Sequence, residues 1–248
     1  MNNENAIEVE NLTIRFNLAS EQVTSIKEYV IKMFKKQLNF QEFYALKSVS
    51  FSIPKGDAVG LVGTNGSGKS TLLKAISGIY PPYDGCVKVN GVIAPLIELG
   101  AGFDGQLTAK ENVFLNGALF GFDRRFMEEK FDEIIDFAEL WDFVDVPVRN
   151  FSSGMAARLG FAIATVVKPD ILICDEVLSV GDMRFKQKCE DKMAELMEGG
   201  TTLLFVSHSI EQVKKVCKHA IWIEKGNLKM QGEVNEVCDL YTEYVMGE

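Results

Sequence analysis

The run Gly63-Thr64-Asn65-Gly66-Ser67-Gly68-Lys69-Ser70 fits the pattern GxxxxGK[ST] at every fixed position. The chemistry of that pattern is phosphate binding. Glycines let the backbone curl until several N–H groups point at one anion. A helix that starts where the loop ends adds the positive end of its dipole. Lys69 is expected to reach the β and γ phosphates, and Ser70 to hold Mg²⁺ through its hydroxyl. Thr71 completes the expected phosphate-side set.

A second constellation is Ile171-Leu172-Ile173-Cys174-Asp175-Glu176. Four apolar residues predict a buried strand, with two carboxylates at its C-terminal end. Ligands of open α/β sheets sit beyond such ends. Asp175 can support a Mg²⁺ shell, and Glu176 can polarise an attacking water. His208 follows another apolar run, Leu203 to Val206, and is expected at the same edge, where an imidazole could bond a γ-phosphate or orient water. His219, between Lys218 and Ala220, is assigned no catalytic role.

These groups need a frame. Residues 6–18 alternate in part, through Ile7, Val9, Leu12, Ile14 and Phe16, and predict an edge strand or hairpin arm. Residues 21–38 carry Val23, Ile26, Val30, Met33, Phe34 and Leu38 at helical spacing with lysines between, an amphipathic helix. Strand returns over 43–53, and Ala58–Val62 has the apolar character of a strand buried on both faces. A helix is expected from about Lys69 to Ser77, and strands around Val87, Val89, Val92 and Ile93. The segment from about Thr108 to Phe143 reads as helical, and a helix-rich subdomain is placed at 100–155. Helix 154–167, strand 171–174, helix 183–197, strand 202–206, helix 209–217, strand 220–224, hairpin arm 227–230 and a helical C-terminus complete the reading.

Length and composition bound the possibilities. A chain of 248 residues suits one large domain, or one α/β domain with a smaller subdomain. The net charge of -9 argues against a broad nucleic-acid surface, which is usually basic. The five cysteines form no CxxC pair, consistent with a reduced, cytosolic compartment. The acidic, polar start lacks the basic and apolar parts of a secretory signal. No stretch reaches the roughly 18 apolar residues of a membrane span, so work at a membrane would need another spanning protein.

With these motifs in place, residues 6–232 resemble the nucleotide-binding domains of ABC transporters. Gly63–Ser70 looks like the Walker A loop, and Ile171–Glu176 like Walker B with Glu176 as catalytic base. Ser179–Asp182 resembles the D-loop, and His208 matches the switch histidine. Phe151-Ser152-Ser153-Gly154-Met155 stands where the family carries its LSGGQ signature, with Ser153 for the first glycine and Met155 for the glutamine. The resemblance implies an α/β fold: a RecA-like P-loop core, an antiparallel β subdomain and a helical subdomain, forming a single ATPase domain over 1–248. It also implies a head-to-tail dimer on ATP binding, in which Ser152, Ser153 and Gly154 of one copy close over ATP held by the other. Glu98 lies where the family places a glutamine linking Mg²⁺ to the membrane partner; a carboxylate can bind the cation but cannot donate as an amide does. Phe16 is the aromatic assigned to adenine by the resemblance, with Tyr44 the competing choice.

The SSGM signature, the insert 20–42 ahead of Phe43-Tyr44-Ala45-Leu46-Lys47, Leu99–Phe103 and Leu178–Asp182 are similar to the polysaccharide exporters for teichoic acid, O-antigen and capsule. That resemblance implies ATP and Mg²⁺ as cofactors and an integral membrane permease as partner. The cargo would be a lipid-linked polysaccharide, and the chain would sit peripherally on the cytoplasmic face of a bacterial membrane. Some members append a sugar-binding domain. This chain ends at Glu248 without one, so polymer selection is expected to fall to another protein. Other readings are an ABC transporter of different cargo, a soluble ABC ATPase in DNA repair or translation, and a regulatory nucleotide binder. One phosphate loop and no long heptad stretch speak against the soluble reading. Glu176 and His208 speak against the regulatory one.

Overall fold

In the computed structural model the described residues are 4–19, 40–96, 100, 102–175, 182–207 and 209–247. The amphipathic helix read at 21–38, most of the insert 20–42, Glu98, Glu176 and His208 lie outside them.

Two sheets organise the chain. A three-stranded sheet has the order β2-β1-β4, where β1 is Asn5–Ala19, β2 is Phe40–Pro54 and β4 is Asp84–Val89. Both pairings are antiparallel. The second sheet has six strands in the order β5-β6-β7-β3-β8-β9. Here β3 is Ala58–Val62, β5 Ile93–Leu96, β6 Ile171–Asp175, β7 Thr202–Val206, β8 His219–Glu224 and β9 Asn227–Glu233. All its pairings are parallel except β8 with β9, which form an antiparallel edge hairpin.

The apolar runs form strands because both faces of this sheet are covered. Alternate side chains go to different cores, as the period of two requires. Val59, Leu61, Ile171, Ile173, Leu204 and Val206 enter a core shared with β1, β2 and helix α1 (Lys69–Ile76). Leu172, Cys174, Leu203 and Phe205 enter the opposite core, with Phe161, Phe185, Met193 and Trp222. That face is covered by α5 (Met183–Glu198), α6 (Ile210–Val216) and α7 (Val234–Met246).

A third core, around Val113, Met127, Ile134, Ile135 and Leu159, is built by α2 (Ala109–Leu119), α3 (Arg124–Ala138) and α4 (Ser153–Thr165). The helical stretch expected from Thr108 to Phe143 is divided by Gly121, which adopts φ 83°, and by Glu139, which ends α3 in the left-handed region. Helix α2 begins with a capping box: the Thr108 hydroxyl accepts from the Glu111 N–H, and the Glu111 carboxylate accepts from the Thr108 N–H.

Candidate functional site

Parallel pairing places the C-terminal ends of β3, β6, β7 and β8 along one edge of the sheet, the edge where ligands of open α/β sheets bind. From β3 the chain runs directly into Gly63–Gly68 and then into α1. A cavity of about 410 Å³ opens there, lined by Phe43, Ala45, Asn65, Gly66, Gly68, Lys69, Ser70, Thr71, Asp175 and Val206. Residues about a hundred positions apart, Ser70 and Asp175, thus share one wall.

The loop is held in shape by close packing. A Cβ at Gly63 would lie 2.0 Å from the Ile223 carbonyl oxygen and 2.6 Å from Ser67 Oγ. Gly68 has φ 112°, and a Cβ there would lie 2.8 Å from the Ala45 carbonyl oxygen. Ser67, 1% exposed, donates no side-chain hydrogen bond to protein. Lys69 Nζ donates to the carbonyls of Gly63 at 2.8 Å and Thr64 at 3.0 Å. Helix α1 begins after Gly68 with no side-chain cap and no acidic residue in its first turn. Its leading N–H groups and dipole are therefore offered to the cavity, as an anion requires.

This donor set fits a polyphosphate with a hard cation. The cavity wall provides an ammonium, two hydroxyls and backbone amides for the anion, and the Ser70 and Asp175 oxygens for Mg²⁺. Among the described residues no cluster of three or more His, Cys, Asp or Glu could hold a metal alone.

Phe16 is not among the residues lining the cavity; its ring packs edge-on against Tyr80 at 5.4 Å and against the core. Tyr44 is also outside the lining: its ring meets Tyr83 at 6.5 Å, and its hydroxyl donates to Glu42. The aromatic on the cavity is Phe43, the direct cross-strand partner of Phe16 and 48% exposed. Nothing local in the sequence separates Phe43 from Tyr44, its neighbour on β2.

Ser152 and Ser153 are exposed, and Ser152 caps α4 by accepting from the Met155 N–H at 3.2 Å. With Gly154 they line no part of the phosphate cavity in their own chain. Asp182 caps α5 by accepting from Phe185 N–H; that bond first, and Arg158 beside it, hold its carboxyl below the usual range. His219 lies at the opposite edge of the sheet, its Nδ1 2.7 Å from Asp57 Oδ2.

A family model described as ABC transporter matches residues 46–179. The chain is 42% identical over 239 residues to the teichoic acids export ATP-binding protein TagH of Bacillus anthracis, covering 96% of this chain and 43% of that protein. It is 40% identical over 240 residues to the O-antigen export system ATP-binding protein RfbB of Klebsiella pneumoniae, covering 96% and 98%. The chain thus spans less than half of the first relative and nearly all of the second. A dimeric ATP-binding cassette in a post-hydrolysis state with ADP and Pi matches with TM-score 0.72 at 22% identity, over 92% of this chain and 98% of that one. The ATP-binding subunit of an ABC transporter matches with TM-score 0.74 at 20% identity, over 96% and 93%. These two structures give the fold: a RecA-like P-loop core with added β and helical layers.

Proposed function

This chain belongs to the ABC transporter family, and on that premise we propose that it is the ATP-hydrolysing subunit of an exporter of lipid-linked cell-surface polysaccharide. The observation that carries the ATPase reading is the shared cavity of Lys69, Ser70, Thr71 and Asp175 at the parallel edge of the sheet. Similarity to both a teichoic-acid and an O-antigen export protein supports the cargo class.

In this reading the Asn65–Gly68 backbone, Lys69 and Thr71 hold the phosphates, and Ser70, Asp175 and Glu98 supply oxygens to Mg²⁺. When bound, the cation neutralises charge on the β and γ oxygens. Glu176 polarises the attacking water and His208 orients it. We assign the adenine side to Phe43, next to Phe16 across the strand pair. Ser152, Ser153 and Gly154 act on the site of a second copy, head to tail. Residues 20–42 and 100–155 serve as insert and helical subdomain within one ATPase domain, in which residues 21–38 and 98–115 face an integral membrane permease. Among the described residues no helix is long and apolar enough to cross a membrane. In the exporter reading the chain is also peripheral, on the cytoplasmic face, and binds no nucleic acid.

The test combines turnover with recovery of partners. Removing a group aimed at developing charge costs about 10²–10³ in kcat, so Lys69→Ala is expected to lose ATP hydrolysis by at least that factor. Tagged chain purified from native membranes is expected to bring a polytopic protein and a lipid-linked glycan in the same eluate. Recovery with ribosomes or DNA and without a membrane protein would overturn the exporter reading.

A further inference from the structure

Against the phosphate loop, and not among the residues lining the cavity, lies a carboxylate that the proposed reaction does not use. Glu224 ends β8 and is 2% exposed. Its Oε1 accepts from the Thr64 hydroxyl at 2.7 Å, and its Oε2 from the Thr64 N–H at 3.3 Å. Burying an ionised carboxylate costs free energy unless it is hydrogen-bonded. A carboxylate behind an anion-binding loop is also electrostatically adverse to the anion. Filling space alone would favour an apolar side chain, as at Ile223 one residue earlier.

The geometry points to Glu224 as a positioning residue for the nucleotide site, one that fixes the orientation of the Gly63–Thr64 peptide. This inference rests on the ATP-binding reading above. In a trans peptide the C=O and the next N–H point in opposite directions. The Thr64 N–H points to Glu224, and the Gly63 C=O points to Lys69 Nζ at 2.8 Å. When a phosphate draws the ammonium, the carbonyl loses that anchor, while the grip on the N–H and the hydroxyl persists. The peptide then cannot turn its carbonyl dipole toward the incoming anion.

The turn after Glu224 reaches the far end of the same loop. Lys225 and Gly226 both have positive φ, 50° and 79°, a two-residue hairpin turn. The Gly226 N–H donates to the Ser67 carbonyl at 2.8 Å, and the Gly226 carbonyl accepts from the Lys47 N–H at 2.8 Å. The end of β8 thus grips both ends of the loop and ties them to β2.

The experiment measures binding of a non-hydrolysable ATP analogue with Mg²⁺ to the full chain by calorimetry, alongside thermal unfolding of the free protein. Glu224→Gln keeps size and one acceptor but turns an NH₂ toward one Thr64 donor. A hydrogen bond to a charged group carries enough free energy that its loss should weaken nucleotide affinity by about tenfold. The unfolding midpoint should stay close to the parent's. Thr64→Ser, which retains both donors, should bind like the parent. Thr64→Val should weaken binding, and the double variant Thr64→Val with Glu224→Gln should lose less in total than the two single losses summed. Parent-like affinity in Glu224→Gln, or a stability loss without an affinity loss, overturns the positioning role and leaves the ATP site standing. A parent chain that binds no nucleotide overturns the ATP reading and this role with it.

Discussion

Glu224 and Lys69 hold opposite edges of a single peptide: Glu224 Oε2 accepts from the Thr64 N–H, and Lys69 Nζ donates to the Gly63 carbonyl. One group comes from the loop itself and the other from a strand 160 residues away from Thr64. The shape of the loop is therefore a property of the sheet edge as much as of the glycine-rich run.

That dependence makes Gly63 sensitive. An alanine Cβ would meet the Ile223 carbonyl at 2.0 Å, a backbone atom that cannot rotate away. Overpacking of this kind costs about 1–3 kcal/mol, so the denaturant midpoint of Gly63→Ala is expected to fall accordingly. A midpoint equal to the parent's would mean that the loop does not pack on β8.

The two facing phenylalanines should separate by assay. Stacking on a base contributes enough that Phe43→Ala is expected to lower nucleotide affinity by about tenfold. Phe16→Ala should act chiefly on the unfolding midpoint, since Phe16 packs on Tyr80 and the core. Calorimetry and thermal melts on both variants decide it, and a swap of the two effects would return the adenine to Phe16.

The cap of α2 predicts a pH dependence. The Thr108 N–H first, and then its hydroxyl, hold the Glu111 carboxyl below its usual 4.5. A depressed folded pKa contributes stability that is fully present above the unfolded value and is lost as pH falls through the folded one. Glu111→Gln should therefore melt lower than the parent at pH 7, with the gap closing as pH drops below 4.5. A gap that stays constant with pH would assign the cap to size and not to charge.

Thiol labelling should be selective. Burial pushes the Cys189 and Cys217 thiols up to about 12, and raises Cys174 and Cys238 as well. The thiolate is the reactive form, so a maleimide at pH 7 is expected to modify Cys86, which is partly exposed, well ahead of the other four. Mass spectrometry of the labelled native chain checks this, and rapid labelling of Cys217 would contradict the packing of α6 on β3.

Contiguity decided what could be read from sequence. The phosphate loop is legible because its donors are consecutive residues, and Ala58–Val62 and Ile171–Asp175 because strands buried on both faces are unbroken apolar runs. Helix α4, expected over 154–167, runs over Ser153–Thr165, its start set by the Ser152 cap. The sheet order, which sets β7 between β6 and β3, rests on pairings between distant segments, and these bring Asp175 to Ser70. Glu224 gave the same local sign as Asp175, an acid closing an apolar strand, but only the parallel pairing of β8 with β3 turns it to Thr64. Phe43 was hidden for a related reason: Phe43 and Phe16 are equivalent aromatics on paired strands. Their register, together with Tyr80 under one and open space beside the other, determines which faces the cavity. The chemistry the loop can perform follows from its residue types, because hydrogen-bond donors and charge are properties of residues. The tertiary structure alone decided which distant groups orient that loop, because orientation is fixed by contacts that chain proximity does not supply.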